Sequence, residues 1–304
     1  MRITRREIMV GGMAALAGGA GLRAFAATDM ALGAAQLTTL SDGNLVLPLD
    51  FLIGDLPQAQ AIEALAQHGI TGDTLTPPCN LTLYRDGTNT VLFDAGSGPG
   101  FMPSAGHLAE ALDAAGVAAD EITHVLFTHA HPDHLWGVLD DFDDPVFANA
   151  RHMIGQTELD YWTDPATVDT IGEARASFAV GAARRLDAIA HRLETFGPGQ
   201  EVLPGIMAHD TGGHTPGHVS FEVRQGNAAV MVVGDAIGNG HLALTQPDWA
   251  SGADQDAEQG IATRLRLLDQ LATDGMPMVG FHLPGGGLGR VERAGDAYRF
   301  VTEV

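Results

Sequence analysis

The segment Phe127–Gly137, FTHAHPDHLWG, places His129, His131, Asp133 and His134 within six positions. Imidazole nitrogens and carboxylate oxygens are ligands for zinc-like cations. Alternation along an extended backbone would put His129, His131 and Asp133 on one side, and a turn would bring the adjacent His134 to the same centre. With 13 histidines in 304 residues, a chance match to this pattern is on the order of one in five hundred. The pattern reads as a cradle for metal rather than as surface histidines.

Three further candidates close stretches that look like strands: His214 in DTGGHTPGH, Asp235 at the end of VMVVGD, and His282 at the end of MVGFH. A carboxylate ending a valine-rich buried strand is costly unless charge meets it, and a cation supplies that charge. Seven side chains exceed one tetrahedral zinc and suit two ions sharing a bridging carboxylate. Nitrogen and oxygen ligands without thiolate fit zinc, and also manganese or iron; two zinc ions per chain are the expectation. Ions ~3.5–4 Å apart would hold a bridging water and lower its pKa from ~15.7 towards about 7, so neither serine nor cysteine is needed as nucleophile. One ion would polarise the scissile oxygen and the other stabilise the leaving oxygen, with Asp133 orienting the hydroxide or moving its proton. The expected reaction is hydrolysis by direct attack.

These motifs, together with TTLSDG, VLFDAGSG, GHTPGH, VVGD, FHLP and the terminal YRFV, resemble the metallo-β-lactamase superfamily. Within it they look like the methyl parathion hydrolase-like branch, which includes relatives of acyl-homoserine lactonases. The resemblance spans the chain beyond the N-terminal segment. It implies an α/β fold built as a four-layer αββα sandwich. It also implies that His129, His131 and His214 hold one metal, that Asp133, His134 and His282 hold the other, and that Asp235 bridges them. The implied substrate is a small ester-like molecule: a lactone, carboxylic ester or phosphotriester. GHTPGH is also similar to glyoxalase II-like enzymes, so thioester or β-lactam hydrolysis is the alternative. A non-catalytic metal-binding protein is a third reading, against which the complete ligand set argues.

The family usually follows its motif with two glycines, whereas this chain has Trp136-Gly137. Trp136 would either narrow the pocket or pack as a core tryptophan. Asp94 resembles a family aspartate near the metals and would orient a ligand. His218 reads as a structural histidine, and His241 has no assignment. Phe101, Trp162 and Phe178 resemble an aromatic pocket wall, with core packing as the simpler role.

The elements that must carry these residues follow from pattern. LTTLSDGNLVLPLDFLIG suggests two short strands joined at Asp42-Gly43. Strands are expected over 80–84 and 90–93 around RDGTN, a helix over 107–115, and a strand over 124–128 leading into the histidine motif. The stretch 157–195 reads mainly as helix broken near Asp164-Pro165, a lid or side wall. Strands are expected over 206–210, 219–224, 228–233 and 278–281, with a helix over 261–271. That order suggests two sheets with helices outside. The glycine runs lack the Lys-Ser/Thr of a phosphate-binding loop, and Asp140–Asp144 reads as a solvated acidic loop.

The net charge of −22 repels polyanions, which excludes nucleic acid as the expected partner and favours a neutral small molecule. Residues 1–27 carry four arginines against one glutamate, then an apolar, glycine-rich stretch and small residues. This reads as an export signal cleaved near Ala26-Ala27, with no stable membrane insertion afterwards. Its Thr4-Arg5-Arg6-Glu7-Ile8-Met9 resembles a twin-arginine motif, implying the twin-arginine export machinery and a periplasmic location. Residues 28–304 would form one hydrolase domain, free to form a homodimer. A single cysteine, Cys79, rules out an intramolecular disulfide and reads as a small buried hydrophobe.

Overall fold

The computed structural model describes residues 28–302, so the expected export signal lies outside the described residues. Among the described residues sixteen strands occur in chain order. The first group is β1 Thr28–Leu32, β2 Ala35–Asn44, β3 Leu47–Pro48, β4 Thr74–Leu75, β5 Pro78–Arg85, β6 Thr90–Phe93, β7 His124–Leu126, β8 Arg151–Gly155 and β9 Leu193–Phe196. The second is β10 Glu201–Leu203, β11 Ile206–Asp210, β12 Val219–Gln225, β13 Ala228–Gly234, β14 Pro277–Gly280, β15 Leu288–Ala294 and β16 Ala297–Val301. They form two seven-stranded sheets, ordered β1-β2-β5-β6-β7-β8-β9 and β10 through β16 in sequence, with β3 and β4 as a separate pair.

Strand periodicity explains the layering. Along β13, Val230 and Val232 enter the core between the sheets, while Met231 and Val233 face the helix Ala257–Asp274. Along β6, Val91 and Phe93 point inward, while Leu92 joins Leu108 and Leu112 of the helix Leu108–Ala114 on the other face. Both faces of these central strands are therefore buried, and they read as apolar runs rather than as alternation. Phe93 meets Phe221 across the sheets with ring centroids 5.4 Å apart. The result is the expected α/β sandwich of four layers, αββα. The helix Ala257–Asp274 outruns the expected 261–271 because Asp256 caps it by accepting from Gln259 N–H and Gly275 ends it in left-handed backbone.

One expectation is overturned. Asp42-Gly43 does not join two strands but lies inside the single strand β2, opposite a register irregularity with β5. The Asp42 carboxylate, instead of making its own turn, accepts N–H bonds from Ser97 (2.9 Å), Gly106 (3.1 Å) and Leu108 (2.8 Å). Gly43 has φ 104°, and a Cβ there would stand 2.2 Å from the Ser104 carbonyl oxygen. A buried carboxylate thus ties β2 to two loops far along the chain. The helical stretch also stops earlier than expected: its helices are Gln156–Thr163, Thr167–Thr170 and Ala176–Ala188, and then Leu193–Phe196 pairs with β8 as strand β9. Among the described residues no helix is long and apolar enough to cross a membrane.

Removing the three charge-assisted bonds leaves buried N–H groups unsatisfied. Asp42→Ala should lower unfolding free energy by about 3 kcal/mol; urea denaturation showing a loss under about 1 kcal/mol would contradict this role.

Candidate metal centre

The seven expected residues converge at the ends of strands from both sheets. After β7 the chain runs extended through His131, and Pro132 starts a single helical turn, Pro132–Leu135, which carries Asp133 and His134. His214 comes from the loop between β11 and β12, Asp235 follows β13, and His282 follows β14. Gly234, with φ 55°, makes the turn into Asp235; a Cβ there would meet His218 Nε2 at 2.6 Å. His218 itself accepts the Asp235 backbone N–H at 3.0 Å and bonds Thr211 Oγ1 through Nδ1 at 2.8 Å. It fixes the backbone that carries Asp235.

The separations between donor atoms have the size that a shared ion requires. His282 Nε2 lies 3.3 Å from Asp133 Oδ2 and 3.2 Å from Asp235 Oδ2. His134 Nε2 lies 3.4 Å from Asp235 Oδ1 and 3.6 Å from Asp133 Oδ2, and His214 Nε2 lies 3.3 Å from Asp235 Oδ2. Two ligands each about 2.1 Å from one tetrahedral ion stand about 3.4 Å apart. His131 Nδ1 is 3.0 Å from His129 Nε2 and 2.8 Å from His214 Nε2, which closes the second group of three.

All seven residues are at most 8% exposed, yet Asp133 Oδ2, His134 Nε2 and Asp235 Oδ1 have no hydrogen-bond partner. Buried polar atoms without partners are rare, and these face one another. Burial and the neighbouring imidazoles hold His129 and His131 well below the usual histidine range, so both keep a free lone pair. Burial works against charge on His134 as well, but the carboxylates of Asp235, Asp133 and Asp94 push it up to about 10. The field between these groups calls for positive charge, and the donor set fits a pair of divalent cations.

Each imidazole is oriented from outside. His134 Nδ1 donates to Asp94 Oδ2 at 2.8 Å, and His282 Nδ1 donates to the Pro78 carbonyl at 2.8 Å. His214 Nδ1 reaches Asp254 Oδ1 at 3.3 Å, His129 Nδ1 bonds Thr128 Oγ1 at 3.0 Å, and His131 Nε2 faces the Gln255 amide at 3.4 Å. In every case the other ring nitrogen points into the cluster; for His129, His134, His214 and His282 the outer partner is an oxygen, the arrangement that fixes tautomer and aim in metal sites. Asp94, at φ 64°, also accepts from Thr128 N–H and Oγ1, so it positions both the loop and the ligand.

Two supports have no signature in the sequence. Glu158, fully buried, accepts from Ala130 N–H (2.9 Å) and Trp162 Nε1 (2.6 Å) on one oxygen, and from Thr215 Oγ1 (2.8 Å) and Gly217 N–H (3.0 Å) on the other. It joins the loop of His129 and His131 to the loop of His214. Asp254 links His214 to the buried Arg264, which also donates to the carbonyls of Pro247 and Trp249. Trp136 does not line the cavity. It packs on Gly181 of the helix Ala176–Ala188, under the Arg185 guanidinium 4.2 Å from its ring. Burial pushes the Cys79 thiol up to about 12, which removes it as a nucleophile.

A cavity of about 620 Å³ opens over the cluster. Asp133, His131, His214, Asp235 and His282 form its polar end, and Leu45, Leu47, Phe51, Leu52, Phe101 and Phe178 supply apolar wall. Phe178 also lies edge-on to His131, with centroids 6.0 Å apart. Trp162 is buried in the core instead, and His241 lines the cavity while capping the short helix Leu242–Thr245.

Strand-end histidines and carboxylates meeting between two helix-covered sheets define a metal-binding αββα protein. Residues 75–275 match the sequence profile of the Metallo-beta-lactamase superfamily, and the chain belongs to that superfamily. It is 30% identical over 179 residues to the uncharacterized protein YobT of Bacillus subtilis, covering 57% of this chain and 69% of that one. It is 29% identical over 213 residues to the uncharacterized protein Rv2581c of Mycobacterium tuberculosis, covering 66% and 85%. Among solved structures it is similar to AidC, a dizinc quorum-quenching lactonase in complex with the product N-hexanoyl-L-homoserine: TM-score 0.86, 26% identity, 91% of this chain and 97% of that chain. It is likewise similar to the hydrolase AbOPH, with TM-score 0.83, 26% identity and the same coverage.

If Asp94 aims His134, Asp94→Ala should weaken metal retention about 10- to 100-fold. Competition against a chelator measures this, and unchanged affinity would remove Asp94 from the orienting role.

Proposed function

We propose that this protein is a dinuclear metal-dependent hydrolase, with zinc as its resident metal, that cleaves a small uncharged ester-like substrate such as a lactone, carboxylic ester or phosphotriester. The observation that carries this reading is the group of unpartnered, buried donor atoms opening onto a largely apolar cavity. His129, His131 and His214 would hold one ion, Asp133, His134 and His282 the other, with Asp235 between them. Bound there, the metals would supply Lewis acidity toward the scissile oxygen and lower the pKa of a water. Asp133 lines the cavity beside them and is placed to take the proton of the attacking water and return it to the leaving oxygen. With cations in place of protons, the outward hydrogen bonds of the histidines would hold the inward nitrogens in position as ligands. The apolar wall excludes water and receives the acyl or alkyl part of the substrate.

Charge separates this reading from thioester or β-lactam hydrolysis. Among the described residues, Arg264 is the one arginine or lysine lining the cavity, and its guanidinium is committed to Asp254, Pro247 and Trp249. S-lactoylglutathione and cephalosporins carry carboxylates that this cavity leaves without a partner, whereas a lactone or triester needs none. The likeness to a dizinc lactonase at 26% identity supports the same class, as do the motifs that resemble the methyl parathion hydrolase-like branch.

Purified protein should hydrolyse members of a lactone, aryl ester and phosphotriester panel, lose turnover to a chelator and regain it with zinc. His131→Ala and Asp235→Ala should each reduce turnover to background while remaining folded. Near-normal rates in either variant would refute the assignment, and hydrolysis confined to S-lactoylglutathione or a cephalosporin would transfer it to the alternative.

We also propose that residues 1–27 export the folded protein to the periplasm through the twin-arginine machinery, on the strength of Arg5-Arg6 and the apolar stretch that follows. Replacing both arginines by lysine should leave uncleaved precursor in the cytoplasmic fraction. Export at the unmodified level would contradict this.

A further inference from the structure

From sequence, the donor set contains only nitrogen and oxygen, and Cys79 fills space. The structure places its thiol at the metal centre. Cys79 Sγ, an Asp133 carboxylate oxygen and a His282 ring nitrogen all lie within 4.8 Å of one another. Cys79 is 0% exposed, and Asp133 Oδ2, aimed into this group, has no hydrogen-bond partner.

The residues on both sides of Cys79 are tied to the segment that carries His282. Pro78 accepts from His282 Nδ1 at 2.8 Å. Asn80 N–H donates to the Phe281 carbonyl at 2.9 Å, and its side-chain amide donates to the carbonyls of Phe281 and Leu283, both at 2.8 Å. Four hydrogen bonds therefore fix the start of β5 against the 281–283 segment. Cys79 sits between the two anchored residues, opposite Gly43 at the irregular step of β2. A thiol held this firmly beside an unpartnered carboxylate oxygen and an inward-facing imidazole has the surroundings of a ligand.

We propose that Cys79 Sγ is a further ligand of the metal position defined by Asp133, His134 and His282, an inference that rests on the dinuclear reading above. A metal–sulfur distance of about 2.3 Å, against about 2.0–2.2 Å for nitrogen and oxygen, lies within the reach of such a group. As the bond to the metal forms, the S–H bond breaks and its proton leaves to water. One soft ligand among hard ones makes this position favour zinc over manganese, and makes it differ chemically from the His129, His131, His214 position.

Cobalt(II) loading of metal-free protein tests this without reference to turnover. Visible ligand-field bands report that cobalt has entered, and an intense near-ultraviolet sulfur-to-cobalt charge-transfer band reports thiolate ligation. Cys79 is the only cysteine in the chain, so the band has one source. The unaltered protein should show both features, and Cys79→Ser and Cys79→Ala should lose the charge-transfer band while keeping the visible ones. Visible bands without charge transfer in the unaltered protein, or charge transfer that survives in Cys79→Ala, would overturn the proposal while leaving the metal centre intact. Failure to take up any cobalt would overturn the metal centre and the thiolate together. Absence of the charge-transfer band, or of any cobalt uptake, is read from the unaltered protein and does not depend on the stability of the variants.

Discussion

Two carboxylates, Asp133 and Asp235, are buried 3.2–3.4 Å from the ring nitrogens of three imidazoles, His134, His214 and His282, with atoms on both sides left unpaired. Burying an ionised carboxylate is tolerable only when positive charge compensates it. The same field that pushes His134 up to about 10 would be neutralised by divalent cations in place of protons. The local structure around the cluster answers this requirement. Four loops from two sheets end at one place, and each brings one or more donors already aimed inward.

Aim is set by a layer of groups that never reach the centre of the cluster. Asp94, Thr128, Pro78, Asp254 and Gln255 each hold the outer nitrogen of one histidine. Glu158 and His218 act one step further out, on the backbone of the loops. Ligand precision thus derives from hydrogen bonds between segments distant in sequence, and those segments are held by the cores on both faces of each sheet. The helical stretch 156–188 contributes Glu158 and the cavity-lining Phe178 together, so metal geometry and the shape of the substrate cavity share one element.

The cluster was legible because metal ligation demands particular side chains, and His-x-His-x-Asp-His leaves little room for another use. The buried strands were legible for a similar reason: valine-rich runs such as 228–233 can satisfy both faces only inside a sandwich. Asp42-Gly43 was misread because its turn chemistry is local, whereas the Asp42 carboxylate is spent on N–H groups fifty-five to sixty-six positions away. Glu158 was invisible for the same reason. On a surface helix a glutamate is ordinary, and only the fold reveals four donors converging on it. Cys79 was set aside because its neighbours in sequence carry no chemistry, while its neighbours in space are Asp133 and His282.

The central claim is that the seven groups gather around two cations. Anomalous diffraction from crystals of the metal-loaded protein measures this directly. The account predicts two peaks, one among His129, His131 and His214 and one among Asp133, His134 and His282, with Asp235 touching both. A single peak, or none within bonding distance of these side chains, would contradict it.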